Sequence, residues 1–227
     1  MRFAIPLLAA LAMFTLVACG GTDDDDEATP PVSVPLAQRF VTAEDAPGSK
    51  ADPDETRQTT VDYDEFIATL NERAIDPDDE EMATAFDEAG FKGAGVDTRY
   101  YGETHTPGVS PHVVSSFIEL DSEDAATGAL DWLESDSRKP CPMSCAVQIS
   151  TFDVDGIADA RGVHRIATAE DIERVGTEEE RPSDSYWVGF TNGAIVYTVD
   201  LFGPPGSVSE EQALDIASAY YDRLTDG

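Results

Sequence analysis

Two thiols and a thioether lie close together in Cys141-Pro142-Met143-Ser144-Cys145, the segment of this chain with the sharpest chemical potential. Soft sulfur ligands of this kind can hold Cu(I) or exchange disulfides with a partner thiol. The same pair can equally close a structural disulfide. Its loop is so small that the chain-entropy model gives it only about 2 kcal/mol. The three histidines are His105, His112 and His164. His105 and His112 flank the turn at Pro107-Gly108 and could face each other across a hairpin. A metal site needs a third or fourth ligand, and none stands nearby at a recognised spacing. Nucleophilic hydrolysis needs a serine beside a histidine that an acid orients. The chain has no Gly-x-Ser-x-Gly, Ser-x-x-Lys or His-Glu-x-x-His. Asp153-Val154-Asp155-Gly156 opens like a calcium loop, but Gly162 and Val163 stand near where the closing acid should be. With 46 acids in 227 residues, the nearness of two carboxylates singles out no glycosidase pair. Tyr186, Trp187, Tyr220 and Tyr221 carry rings that suit a ligand groove, at a spacing that equally suits a core.

How the sulfurs are read depends on the compartment, and the first residues bear on that. Arg2 is followed by Phe3 to Val17, apolar throughout except at Pro6 and Thr15. The stretch is shorter than the roughly 20 residues of a membrane-spanning helix and fits the core of a signal peptide. It closes on Leu16-Val17-Ala18-Cys19-Gly20. This segment resembles the lipobox of bacterial lipoproteins: a branched apolar residue, two small or apolar residues, then the cysteine that is acylated. The resemblance implies cleavage before Cys19, multiple acylation of that residue, and a domain held at a membrane outside the cytoplasm. Multiple acylation matters because one acyl chain binds membranes only marginally, whereas two anchor stably. With Cys19 lipidated, Cys141 and Cys145 are left as an even pair in an oxidising compartment, where a disulfide is the default. Their motif is similar to that of the Sco copper chaperones, lipid-anchored proteins of thioredoxin fold with Cys-x-x-x-Cys-Pro and a distant histidine. It departs from that pattern twice. No proline follows Cys145, and the pair precedes a strand instead of joining strand to helix.

The 46 acidic residues against 14 basic ones give a net charge of −32. Such a charge repels phosphate backbones and anionic headgroups, which excludes nucleic acid as a partner. Surface acid in this excess also serves solubility and suits saline surroundings. Part of it lies in residues 19–56, which include the run Asp23 to Glu27, Pro30-Pro31, Pro47, Gly48 and Pro53. Large apolar residues are too few there to offset the entropy of ordering the chain. The composition predicts residues 1–18 as signal peptide, 19–56 as a disordered tether with one piece near Leu36 to Val41 that could dock, and 57–227 as a single domain.

Within that domain, periodicity predicts helices over Tyr63 to Ala74 and about Asp79 to Ala89, the second stopped by Gly90. Strands are predicted over Thr98 to Thr104, Val113 to Leu120, Val147 to Val154 and Val163 to Ala167. Ser122 opens a helix with Ala126, Ala129, Leu130 and Leu133 on one face and Trp132 alongside. Asn192-Gly193, set between two alternating runs from Tyr186 to Leu201, is a strong hairpin signal. Ser209 then caps a last helix, with Gln212 completing a capping box and Ala213, Ile216, Ala217, Tyr220 and Leu224 as its apolar stripe. Ser122-Glu123-Asp124-Ala125-Ala126 parallels Ser209-Glu210-Glu211-Gln212-Ala213, so hairpin-plus-helix occurs twice, as a weak repeat or as shared helix-start chemistry. The order predicts an α+β two-layer domain, an antiparallel sheet with helices on one face. That layout loosely resembles lipid-anchored extracytoplasmic proteins of actinobacteria and the sensor domains of some of their kinases. The functional expectation is a non-catalytic binding or sensing module for an envelope or extracellular ligand, with no catalytic, cofactor or metal residues. The alternative is a thiol-redox or copper-handling protein built on Cys141 and Cys145.

Overall fold

β-branched and aromatic residues dominate Ser183–Asn192 and Ile195–Gly203, and the hairpin they form is the centre of the sheet. Its turn is Gly193-Ala194, one residue later than the Asn192-Gly193 pair the sequence points to, because Asn192 is the last residue of its strand and pairs with Ile195. Gly193 takes φ 60°, a left-handed conformation a β-branched residue could not hold without strain. The computed structural model describes residues 34–51, 57–67, 86–103, 110–139, 147–168 and 182–226. All of them belong to one unit, Val32–Gly227. Among the described residues the strands are β1 (Ser49–Ala51), β2 (Gln58–Thr60), β3 (Gly93–Tyr101), β4 (His112–Glu119), β5 (Val147–Phe152), β6 (Arg161–Ala167), β7 (Ser183–Asn192) and β8 (Ile195–Gly203). The helices with defined ends are α1 (Glu123–Ser137) and α2 (Glu210–Thr225). Residues 63–67 and 86–88 are also helical. The rest of those two predicted helices lies outside the described residues.

The strands make one antiparallel sheet in the order β1-β3-β4-β8-β7-β6-β5, with β2 sharing the outer edge of β3 with β1. β3 begins at Gly93, earlier than its β-branched and aromatic residues suggest, because pairing with β2 and β4 outweighs the weak strand preference of Gly93-Ala94-Gly95. Gly95 has a further reason. A Cβ there would lie 2.6 Å from the Phe117 ring and 2.7 Å from that of Phe40. The glycine makes room for Phe40, which meets Phe117 edge-on at 5.4 Å.

Phe40 belongs to the segment whose composition reads as tether. Residues 34–51 are instead part of the domain: Val34, Phe40, Val41 and Ala46 are buried in the larger core cluster, and β1 joins the sheet. The segment has few apolar side chains, but nearly all are spent on the core, and α2 grips its backbone. The Tyr220 hydroxyl donates to the Arg39 carbonyl at 2.6 Å. Arg223 donates to the carbonyls of Gln38 and Phe40, each at 2.7 Å, and to the buried Asp45 carboxylate.

Both helices start as predicted. Ser122 accepts from Ala125 N–H and Ser209 from Gln212 N–H, each at 3.2 Å. The α2 stripe, Ala213, Ile216, Ala217, Tyr220 and Leu224, packs on the face that carries Val188, Phe190, Tyr197, Val199 and Leu201. Fully burying one such large apolar side chain is worth about 1.5–3 kcal/mol. The placement of α1 corrects the two-layer expectation of helices on one face. Ala126, Ala129 and Leu130 pack with Val163, Trp187 and Val196, which alternation puts on the opposite side of the sheet. The domain is α+β and antiparallel, with a helix on each face. The two hairpin-plus-helix stretches are therefore not related by a two-fold axis normal to the sheet. Such an axis would exchange the antiparallel neighbours β4 and β8 and keep their helices on one side.

Candidate functional site

α1 covers only part of its face of the sheet. It approaches closest at Gly189, where an added Cβ would stand 2.7 Å from Leu130 and 2.4 Å from the Trp187 ring. Beyond that contact, the C-terminal half of α1, edge strand β2 and residues 65 and 66 border an open cavity of about 550 Å³. A volume of this order suits a small organic ligand. Trp132 and Leu133 of α1 and Phe66 form apolar walls, and Val96, Val114 and Ile118 form much of the floor. Wall and floor are braced from behind: Trp132 meets Phe86 edge-on at 5.6 Å, and Phe66 stacks on Phe91 at 4.5 Å.

The polar groups of the floor come from the central strands. Register sets Ser116 opposite Thr198, and their hydroxyls pair at 2.7 Å. Asp200 stands between Val114 on β4 and Trp187 on β7. Arg165 projects from β6 on the same face. Among the described residues, Asp200 Oδ1 and Arg165 Nε are buried with no hydrogen-bond partner. Burial pushes the Asp200 carboxyl above its ordinary value of 3.8, against the opposing pull of Arg165 and His112. The other charged groups of the wall are engaged. Arg57 pairs with Asp97 at 3.3 Å, Lys139 with Asp136 at 3.5 Å, and Glu65 accepts from the Thr60 hydroxyl at 2.6 Å. What results is a chamber of mixed lining, apolar at Trp132, Leu133, Phe66 and the valines of the floor, in which Asp200 Oδ1 and Arg165 Nε are left unmet, an arrangement that can select and orient a bound molecule.

No family model matches the chain, and no curated protein matches it. Among solved structures, the extracellular domain of PknH from Mycobacterium tuberculosis is similar at 10% identity and a TM-score of 0.43, over 79% of this chain and 82% of that one. An uncharacterised protein of Mycobacterium smegmatis (the Rv0999 ortholog) is similar at 14% identity and a TM-score of 0.32, over 78% of this chain and 80% of that one.

Of the residues singled out by type and spacing, Cys19, His105, Cys141 and Cys145 lie outside the described residues. His112 and His164 are on β4 and β6, separated by two strands and on opposite faces of the sheet. His112 Nδ1 bonds the Ser110 carbonyl at 3.1 Å, and its ring meets Phe202 at 5.0 Å. His164 Nε2 bonds Asp184 at 2.7 Å while its ring lies flat on Tyr186 at 4.3 Å. Among the described residues no cluster of three or more His, Cys, Asp or Glu is placed to hold a metal. Asp153 and Asp155 are exposed in the turn after β5. Tyr220 is core, Tyr221 packs against Phe190, and Tyr186 stacks on His164; of the four aromatics, Trp187 lines the cavity. Asp200 and Arg165 escaped the sequence reading. Each alternates with inward-facing neighbours, which is the pattern of a solvent-facing residue, and only the placement of α1 turns that face into a chamber.

Proposed function

We propose that this chain is a lipoprotein held outside the cytoplasm through Cys19, and that its domain is a non-catalytic binding or sensing module with the cavity beside α1 as its ligand site. The cavity carries the reading. It is concave and large enough for a small molecule, and it combines apolar walls with polar groups that converge on it from the sheet and from α1. The lipobox-like Leu16-Val17-Ala18-Cys19 supports the address. Among the described residues no helix is long and apolar enough to cross a membrane.

The sequence has 2 tryptophans, and both Trp132 and Trp187 line the chamber, so its occupancy can be read from intrinsic fluorescence. Titration of full-length protein in nanodiscs with 4-phenylbutanol, a neutral aromatic alcohol, should give a saturable one-to-one change. The double variant Val96→Phe/Val114→Phe, which fills the floor, should lose it. An unchanged titration in that variant, or none in either protein, would place any ligand site elsewhere. Labelling with radioactive palmitate tests the anchor: Cys19→Ser should take up no label and leave the membrane fraction or stay unprocessed.

A further inference from the structure

We infer that the cavity is built for an apolar molecule with two polar ends, a basic nitrogen that meets Asp200 and a carboxylate or carbonyl that meets Arg165. This deepens the binding-site reading and rests on it. Two observations carry the inference, and both are geometric.

The first is the pair of unmet atoms. Asp200 Oδ1 can only accept from a donor, and Arg165 Nε can only donate to an acceptor. Leaving either atom buried and unpaired is costly, and buried polar atoms without partners are rare in folded proteins. Every other charged group on the wall is already bonded to a neighbour, as is the Ser116–Thr198 hydroxyl pair. A ligand bearing one charge would satisfy one atom and leave the other unmet.

The second is their placement. Asp200 is on β8 and Arg165 on β6, with β7 between them. Trp187 of β7 is the direct cross-strand partner of Asp200, and of Val163, which lies two residues along β6 from Arg165. Strands are spaced about 4.8 Å apart, so the two backbones stand about 10 Å apart and send both side chains to the same face of the sheet. A small ring with a polar substituent at each end offers a donor to one atom and an acceptor to the other, with Trp187 and Trp132 among its apolar neighbours in the cavity.

The probe is 4-(aminomethyl)benzoate, whose ammonium and carboxylate sit at opposite ends of one ring. Three matched controls keep the ring and vary the ends: 4-methylbenzylamine, 4-methylbenzoate and the neutral 4-methylbenzyl alcohol. Full-length protein in nanodiscs is titrated with each by fluorescence and calorimetry. The two-ended probe should bind about tenfold or more tighter than either single-charge control, because each end gains a charge-assisted hydrogen bond. Asp200→Asn should remove the advantage contributed by the amine, and Arg165→Gln that of the carboxylate, while both leave the neutral alcohol unchanged. Circular dichroism checks that the variants fold; Asp200→Ser and Arg165→Met serve if either does not. Arg165→Lys, which keeps the charge, should retain part of the carboxylate preference. Equal binding of all four compounds would mean that water or the solvent boundary satisfies the two groups, and would overturn the two-ended ligand. If 4-phenylbutanol still binds in that case, the cavity as a binding site survives. If neither 4-phenylbutanol nor any of the four binds, both fall.

Discussion

Asp200→Asn should make the protein more stable at neutral and alkaline pH, the reverse of what removal of a buried charge usually does. The usual loss arises because a partner is abandoned, whereas Asp200 Oδ1 is buried with no partner among the described residues. An unsatisfied buried polar atom costs about 1–3 kcal/mol, and more when charged. The amide that replaces the carboxylate still leaves a polar atom there, so the substitution recovers only what the charge adds, on the order of 1 kcal/mol, or about 2–4 °C in melting temperature for each kcal/mol in a domain of this size. The sign with pH follows from linkage. The Asp200 carboxyl is raised above 3.8 by burial, with Arg165 on β6 and His112 on β4 pulling the other way, so the folded state holds the proton more tightly than the unfolded one. Wild-type stability contributed by this group is greatest below about 3.8 and is lost as pH rises through the higher folded-state value. The variant's advantage should accordingly be full at pH 8 and vanish near pH 3.5. Urea unfolding at both pH values, followed by circular dichroism, reads it directly. A variant less stable than wild type at pH 8, or an advantage that grows on acidification, would refute the reasoning.

Three further outcomes follow from the packing and the sequence. Arg223→Ala should cost about 3–5 kcal/mol, since it strands the buried Asp45 carboxylate and frees the carbonyls of Gln38 and Phe40; chemical denaturation measures it. Gly193→Val forces a β-branched residue to φ 60° in the β7–β8 turn and should cost at least about 1 kcal/mol, visible as a lowered melting temperature. Replacing Cys141 and Cys145 together with serine should cost at most about 2 kcal/mol if the pair is a small-loop disulfide; thiol titration of the unreduced protein should then find no free sulfhydryl, and the reduced protein should bind no stoichiometric Cu(I).

Local chemistry was the readable part of this fold. The serine caps at Ser122 and Ser209, the β7–β8 hairpin and the α2 stripe are decided by residues within a few positions of one another, and each stands where the sequence predicts, with the hairpin turn itself one residue later, at Gly193-Ala194. Facts that depend on distant partners were not readable. Whether Phe40 and Val41 dock turns on a gap above Gly95 and on two side chains of α2, Tyr220 and Arg223, far along the chain. The face to which α1 returns after β4 is a matter of topology, and a repeated helix-start motif says nothing about it. The site shares that limit. Trp187 and Asp200 are cross-strand partners, yet on paper they are an aromatic and an acid on the outward side of two alternating strands.

Asp45 and Asp200, set side by side, show what kind of place the cavity is. Asp45 receives the guanidinium of Arg223 through contacts of 2.7 to 3.1 Å, together with the backbone N–H and hydroxyl of Thr42, so its charge is met from every side. It fixes the N-terminal segment on α2. Asp200 has an arginine near enough to influence its titration, yet Oδ1 and the Arg165 Nε each remain without a bond. The same chemistry is thus completed in one place and left open in the other, and the open one faces the chamber. Unmet polar groups that weaken a fold are expected where function needs them. The stability and binding effects of one substitution should therefore travel together. Asp200→Asn should gain stability and, in the same protein, lose its preference for the amine end of 4-(aminomethyl)benzoate. A variant that gained stability and kept that preference would show that the carboxylate is a tolerated defect of the fold and no part of its recognition.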